Sequence, residues 1–449
     1  MPFNKILVAN RGEIAIRIMR ACKEMGIRTV AIYSSADADS LHVQYADESI
    51  CVGPSDKSKS YLNLVNIISA ADITNSEAIH PGTGFLAEAP HFAEACRDHG
   101  IVFIGPTPEN IEMMGDKAKA RQVMAKAGLE PIPGSKGVLR NEKEAVKTAH
   151  KLGYPIVIKA AAGGGGLGIR EAYNDTGLIN AFQLVQSEAK SAFGRSEVYI
   201  EKLIENARHI EFQILADKYG NVVCLGEREC SIQRRKQKLI EETPCIAINP
   251  KSREEMFKYL IKAMRSIKYS NVGTVEFLMD NDGRFYFMEM NTRIQVEHTI
   301  TEEVTGLDLL KEQIYSAGGE RLSFRQNDIR INGHAIECRI NAEDPSKKFM
   351  PFPGTIESIN FPGGPGVRLD THLYSGYKIP PFYDSLIAKL ITHGKDRPEA
   401  LNRMRRALDE LKINGIKTTI PFHKLIMDDE KYLQGKISTS FLNSFNISE

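Results

Sequence analysis

Apolar and polar positions alternate in two rhythms over the first hundred residues. "KILVAN" (5–10) is a short apolar run of the kind that forms a buried strand. "RGEIAIRIMRACKEMG" (11–26) repeats apolar residues at helical spacing and ends on a glycine stop. "RTVAIYSS", "YADESICVG", "EAIHPGTGF" and "IVFIGP" continue as strands, with helices such as "PHFAEACRDHG" between them. This alternation predicts an open α/β unit. "MGDKAKARQVMAKAG" (114–128) reads as one helix leading out of it. Beyond it, "YPIVIKA" and "IREAY" read as two strands flanking a glycine run, and the remainder is strand-rich with a closing helix "PEALNRMRRALDELK". The predicted organisation is an N-terminal α/β domain (1–115), a helical linker (116–130), a small α+β subdomain carrying the glycine loop (131–204) and a strand-rich remainder (205–449). There is no internal repeat.

Composition narrows the function classes. The 449 residues suggest several domains, and 42% hydrophobic with 26% charged residues is ordinary for a globular protein. The formal net charge of +1 leaves no electrostatic footprint for nucleic acid or a membrane surface. No apolar run approaches the ~20 residues that span a bilayer, and the N-terminus is unlike a signal peptide. Seven scattered cysteines without a C-x-x-C pair predict reduced thiols in a cytoplasmic protein.

Four stretches carry candidate chemistry. "KAAAGGGGLGIR" (159–170) places bare glycines after Lys159. Their main-chain N–H groups can converge on a phosphate, as in an anion nest, or merely turn a hairpin. A P-loop is excluded because no lysine follows the glycines. A dinucleotide fingerprint is disfavoured because a strand, not a helix, follows Gly168. In "GTVEFLMDNDGRFYFMEMNTRIQVEH" (273–298), Asp282-Gly283 predicts a two-residue hairpin turn. That turn sets Glu276 opposite Glu289 with Cβ atoms ~4.5–5.5 Å apart. Opposed carboxylates without local compensation point to Mg²⁺ or Mn²⁺, the alternative being a solvated sheet face. If the second strand stays extended, Glu289, Asn291, Arg293, Gln295 and Glu297 share one face. Glu297 would then lie about 26 Å from Glu289 at ~3.3 Å per residue, so a bend after Asn291 is expected. In "RECSIQRRKQKLIEETP" (228–244), alternation places Lys236 and Lys238 on one strand face, as an anion site or a solvated basic face. Arg339 follows an apolar strand in "GHAIECRINAEDP". His80, His209 and His298 lack metal-ligand spacing and read as buried or capping histidines.

Together these stretches resemble biotin carboxylase of the ATP-grasp superfamily over essentially the whole chain. The matching motifs, in order, are "VANRGEIAIRIMRACKE", "AIHPGTGFLAE", "MGDKAKA", "IKAAAGGGGLGIR", "IEKLIENARHIEFQILAD", "ERECSIQRRKQKLIEE", "EMNTRIQVEHTITE" and "GHAIECRINAEDP". The resemblance implies an ATP-grasp fold, mixed α/β and α+β, with a pre-ATP-grasp α/β domain, a mobile glycine-loop lid and a strand-rich C-terminal domain. It implies nucleotide contacts from Lys117, Lys159, Gly164, Gly165, Gly166, Glu201, Lys202, Leu203, Ile204, His209, Gln233, Lys236, Glu276, Leu278 and Glu289. Its Mg²⁺ (or Mn²⁺) ligands would be Glu276, Glu289 and Asn291. Bicarbonate would meet Lys238, Arg293, Gln295 and the backbone of Val296. Glu297 would be the base, and Arg339 would face the biotin ureido group. Lys238, Arg293, Glu297 and Arg339 are thus the implied catalytic set.

The implied reaction converts MgATP and bicarbonate to carboxyphosphate and ADP, then carboxylates biotin on a biotin carboxyl carrier protein. Implied partners are that carrier and carboxyltransferase subunits, expected as separate polypeptides, and a second copy in a homodimer. Acetyl-CoA carboxylase is the preferred setting; the alternative is the same half-reaction within a two-subunit pyruvate carboxylase. Against the commonest family pattern, Thr83 stands for Tyr, Leu167 for Arg or Lys, Lys236 for His or Asn, and Thr299 for the Pro of "VEHP". Another ATP-grasp ligase would not need "RIQVEH" and "ECRINAEDP" together. A non-catalytic ATP-binding regulator would not need Glu276, Glu289, Lys238 and Glu297.

Overall fold

The computed structural model describes residues 2–135, 137–161, 168–194 and 196–445. The alternating N-terminal pattern folds as expected into a parallel five-stranded sheet. Its strands are β1 (Lys5–Val8), β2 (Arg28–Ser34), β3 (Glu48–Gly53), β4 (Ala78–His80) and β5 (Val102–Phe103), in the order β3-β2-β1-β4-β5. Helix Gly12–Glu24 follows β1 and buries Ile14, Ile18, Met19 and Cys22. Gly26, at φ +68°, ends it in the left-handed region that glycine tolerates. The helix expected over 114–128 is instead two, Pro108–Gly115 and Lys117–Ala127. Asp116 is extended between them, and its carboxylate accepts from the Lys119 N–H at 3.1 Å. An Asp that caps the second helix has replaced one that would be neutral at best inside a continuous helix.

A three-stranded antiparallel sheet, β6 (Ile156–Ala160) between β7 (Ile169–Ala172) and β8 (Val198–Lys202), carries the glycine stretch between β6 and β7. Residues 162–167, and so Gly164, Gly165, Gly166 and Leu167, lie outside the described residues. Gly168 is followed by a strand, as the dinucleotide exclusion required. Helices Glu142–Leu152 and Asp175–Phe193 cover this sheet through Ala145, Ala149, Leu178, Phe182 and Val185.

The centre is an eight-stranded antiparallel sheet in the order β13-β12-β9-β10-β11-β14-β19-β18. Its members are β9 (Arg208–Ala216), β10 (Val222–Arg234), β11 (Gln237–Thr243), β12 (Asn271–Met279), β13 (Phe285–Asn291), β14 (His334–Asn341), β18 (Val367–Thr371) and β19 (Leu386–Gly394). Short pairs β15 (Glu343–Asp344) with β16 (Met350–Pro351), and β17 (Ser358–Asn360) with β20 (Lys412–Asn414), lie outside it. One core packs Phe212, Phe277 and Phe287 against Met256, Leu260 and Met264 of helix Pro250–Ser266. A second joins Ile6, Val8, Ile14 and Ile18 of the N-terminal unit to Leu215, Val223 and Val272 of the large sheet. The N-terminal unit is therefore fastened to the sheet that carries the polar motifs. No helix among the described residues is long and apolar enough to cross a membrane, and all seven cysteines are free thiols.

Candidate active site

The β12–β13 hairpin builds one side of the site. The expected two-residue turn is not formed. Asp280 donates to the Arg284 carbonyl and accepts from the Gly283 N–H, leaving a three-residue loop with Gly283 at φ +79°. Phe277, Leu278 and Met279 therefore pair with Phe287, Tyr286 and Phe285, one residue off the expected register. A bulge at Met288 restores it, and Glu276 does lie opposite Glu289. On its other side Glu276 pairs with Glu211 of β9, so three carboxylates sit abreast on neighbouring strands.

Local compensation exists for one of them, contrary to the expectation. Glu276 Oε1 accepts from Lys238 Nζ (2.9 Å), Asn291 Nδ2 (2.9 Å) and Gln295 Nε2 (3.0 Å), and its Oε2 lies 3.3 Å from His209 Nε2. Burial would raise the Glu276 carboxyl, but Lys238 and then His209 pull it well below the usual range. Glu289 has no such help: Lys117 Nζ is 3.9 Å away. Desolvation by the surrounding protein and the charge of Glu276 push Glu289 upward, although water reaches 44% of its side chain. A water-accessible carboxylate facing a buried one, short of positive charge, fits an oxygen-ligated divalent cation.

The strand ends at Asn291 and the chain bends, as expected, instead of continuing the alternation to Glu297. Arg293 fixes the bend. Its Nε donates to Glu88 (2.9 Å), and its terminal nitrogens donate to Asn291 Oδ1 (3.1 Å) and Gln295 Oε1 (2.9 Å). Glu297 returns as the N-cap residue of helix His298–Thr305 and is fully buried. One ammonium joins both ends of the motif: Lys238 Nζ donates to Glu297 Oε1 (2.6 Å) as well as to Glu276 and to Glu211 (2.5 Å). Arg339 donates to Glu297 Oε2 (2.9 Å) and, through Nε, to Glu241 (2.6 Å). Burial alone would raise Glu297, but Lys238, Arg339 and Arg228 hold it far below the carboxylate norm. Burial likewise opposes the charge on Lys238, and Glu211, Glu276 and Glu297 overcome it.

The basic run is not a strand face. Arg235 (φ +48°) and Lys236 (φ +66°) form the two-residue turn between β10 and β11, both in the left-handed region. Lys236 is therefore exposed at a turn, while Lys238 points inward, opposite Gln233. Gln233 donates to His209 Nδ1 (2.9 Å), and His209 is the strand partner of Leu278. At the small sheet, Lys159 and Arg121 hold Glu201 at 2.5 and 2.8 Å. Lys202 caps the carbonyls of Gly153 and Tyr154, and half-buried Leu203 and Ile204 follow. His80 and His298 are buried and bonded to main chain, as expected.

Sequence reasoning missed Glu211, Arg228, Glu88 and Glu241. Glu211 is shared by Lys238 and the fully buried Arg228 (2.6 Å). The one signal was an acid and an arginine inside otherwise apolar strands, "HIEFQILA" and "CLGEREC".

Fold and site together define an ATP-dependent ligase of the ATP-grasp type. Three family models match in order: "Biotin carboxylase, N-terminal domain" (2–111), "Carbamoyl-phosphate synthase L chain, ATP binding domain" (116–325) and "Biotin carboxylase C-terminal domain" (337–444). A biotin carboxylase of Nostoc sp. is 57% identical over 99% of this chain and 100% of its own length. A pyruvate carboxylase subunit of Methanothermobacter thermautotrophicus is 56% identical over 99% and 90%. The biotin carboxylase domain dimer of Hydrogenobacter thermophilus 2-oxoglutarate carboxylase, solved with MgADP, ADP and bicarbonate, superposes with a TM-score of 0.96. It shares 51% identity and covers 100% of this chain and 99% of its own. The chain belongs to the biotin carboxylase family, ATP-dependent ligases that carboxylate biotin with bicarbonate. Near-equal identity to relatives of different names does not select between acetyl-CoA and pyruvate carboxylase.

Proposed function

We propose that this site catalyses the biotin-carboxylating half-reaction with the residue roles that follow. The observation that carries the reading is Lys238, whose ammonium contacts both Glu276 on the hairpin and Glu297 beyond the bend. It thereby joins a metal-type carboxylate to a candidate base. Lys117, Lys159, Glu201, Lys202, Leu203, Ile204, His209, Gln233, Lys236 and Leu278 hold ATP. Glu276 and Glu289, aided by Asn291, hold the divalent cation, which when bound disperses charge on the transferred phosphoryl group.

Lys238, Arg293, Gln295 and the Val296 backbone orient bicarbonate, and Glu297 takes its proton. The bicarbonate oxygen forms a bond to the γ-phosphorus as the bond to ADP breaks, giving carboxyphosphate. Carboxyphosphate separates into CO₂ and phosphate, and that phosphate takes the N1′ proton of biotin. The biotin nitrogen then bonds to CO₂ while Arg339 stabilises the ureido enolate. Lys238 and Arg339, both engaged with Glu297, are placed to exchange that carboxylate for substrate oxyanions, which would restore basicity to Glu297.

ADP release with and without Mg²⁺, bicarbonate and free biotin tests this. Release should require the metal and bicarbonate and accelerate with biotin; full activity in excess chelator would overturn the metal assignment. A homodimer in the cytoplasm, served by a biotin carboxyl carrier protein and carboxyltransferase subunits, completes the proposal. The relative solved as a dimer supports the first part. The co-purifying biotinylated protein tests the acetyl-CoA expectation.

A further inference from the structure

Lys389 takes no part in the roles above, yet it is a lysine with no exposed surface, directly behind the bicarbonate turn. It lies on β19, paired in register with Arg339 on β14. Arg339 grips the Glu297 carboxylate, and Lys389 Nζ donates to the Val296 carbonyl at 2.9 Å. Two cations on adjacent strands thus hold the same dipeptide, one by side chain and one by backbone.

The need for such a donor follows from the bend. Val296 immediately precedes the N-cap residue Glu297. Its carbonyl therefore lies outside the helical ladder, and the strand that could have paired it has ended. A neutral donor would satisfy the carbonyl. A buried ammonium is a costlier choice and needs its own partners. They are Glu13 Oε2 at 3.3 Å, from helix Gly12–Glu24, and Asp370 at 3.9 Å on β18. Burial would strip the proton from Lys389, and Glu13, Glu337 and Asp370 outweigh it and keep the group charged; Arg368 opposes them. Asp370 is otherwise engaged by Arg368 through both carboxylate oxygens.

We propose that Lys389 is a positioning residue for bicarbonate: by fixing the Val296 carbonyl it holds the Val296–Glu297 peptide, and with it the orientation of the adjoining Val296 N–H toward the anion and the approach of Glu297. The inference rests on the reading of 295–297 as the bicarbonate turn. A displacement of this turn by even an ångström is the kind of change that costs substrate use about ten- to a hundredfold.

Replacing Lys389 alone would leave Glu13 buried without its cation. The test therefore uses the charge-balanced pair Glu13→Gln with Lys389→Met, beside Glu13→Gln alone, which keeps the Lys389–Val296 bond. Biotin-dependent ADP release is measured against bicarbonate and against ATP, with thermal unfolding followed in parallel. The double variant should raise the bicarbonate KM by about tenfold or more and leave the ATP KM within about twofold. Glu13→Gln alone should stay near the parent in both.

An unchanged bicarbonate KM in the double variant would overturn the proposal. So would an equal rise in the ATP KM, or the same rise from Glu13→Gln alone. A double variant that fails to fold would also overturn it, because Lys389 would then be a stabilising residue only. Lys238→Gln in the same assay separates the two layers. If it too leaves the bicarbonate KM unchanged, the turn is not the bicarbonate site and both readings fall. If it raises that KM while the double variant does not, only the role of Lys389 falls.

Discussion

Glu297 is held by two cations, Lys238 at 2.6 Å and Arg339 at 2.9 Å, and is fully buried. A carboxylate so placed is ionised at neutral pH and ready to accept a proton, but weakly basic until those cations are drawn to substrate. Glu297→Gln keeps the shape and removes the acceptor. Lys238 retains Glu211 and Glu276 in the variant, so MgATP binding should survive. Biotin carboxylation should fall by ~10²–10⁴, the range for loss of a general base. Carboxybiotin formation measured beside nucleotide binding checks both, and a near-normal rate would remove Glu297 from the role of base. At this scale the sequence revealed residues joined by local register, such as Glu276 and Glu289. It concealed Glu211, whose place beside Glu276 depends on β9 pairing with β12 across sixty-odd positions. It also concealed Glu88, which reaches Arg293 from the N-terminal unit.

The β12–β13 hairpin shows why elements were easier to place than their turns. Asp-Gly is a strong turn signal but does not by itself fix loop length. Here Asp280 Oδ1 accepts from the N–H groups of Asp282 and Arg284 at 2.9 Å each, which favours the three-residue loop. The bulge at Met288 absorbs the extra residue, so the expected Glu276–Glu289 pairing survived an incorrect turn. The β10–β11 turn went the other way: Arg235 and Lys236 adopt left-handed backbone without the glycine or asparagine that would have announced it. Gly283 is where the hairpin depends on residue type. A Cβ there meets no neighbour, but φ +79° is a conformation that L side chains adopt at a cost. Gly283→Ala should lower stability by about 1 kcal/mol while leaving the kinetics of biotin carboxylation unchanged. Urea unfolding beside a steady-state assay checks this, and an equal loss of kcat would tie the turn to the site.

Across the whole molecule, the ordered motifs made the layout legible, whereas the contacts that fasten distant segments did not announce themselves. Glu242 is an example. Its neighbour Glu241 faces Arg339, and strand alternation sends Glu242 to the opposite side of β11. There it accepts from His334 Nε2 at 2.8 Å and Arg397 Nε at 2.6 Å. Arg397, at the start of helix Arg397–Glu410, also donates to the carbonyls of Tyr432 and Leu433. One buried carboxylate thus binds the central sheet to the C-terminal helices. Burial would raise its carboxyl, but His334 and Arg397 bring it down to about 2. A carboxylate depressed in the folded state stabilises it fully above the unfolded value near ~4.5 and loses that contribution as pH falls through the folded value. The size is on the order of 3 kcal/mol for a carboxyl brought from its ordinary value down to about 2. Glu242→Gln should therefore be less stable than the parent by about 3 kcal/mol at pH 7, from the buried Arg397 left without its anion. The difference should shrink as pH falls from 5 toward 2, because the parent protonates the same group. Chemical unfolding of both proteins over that range measures it. A stability gap that stays constant down to pH 2 would mean that Glu242 is not held ionised in the fold.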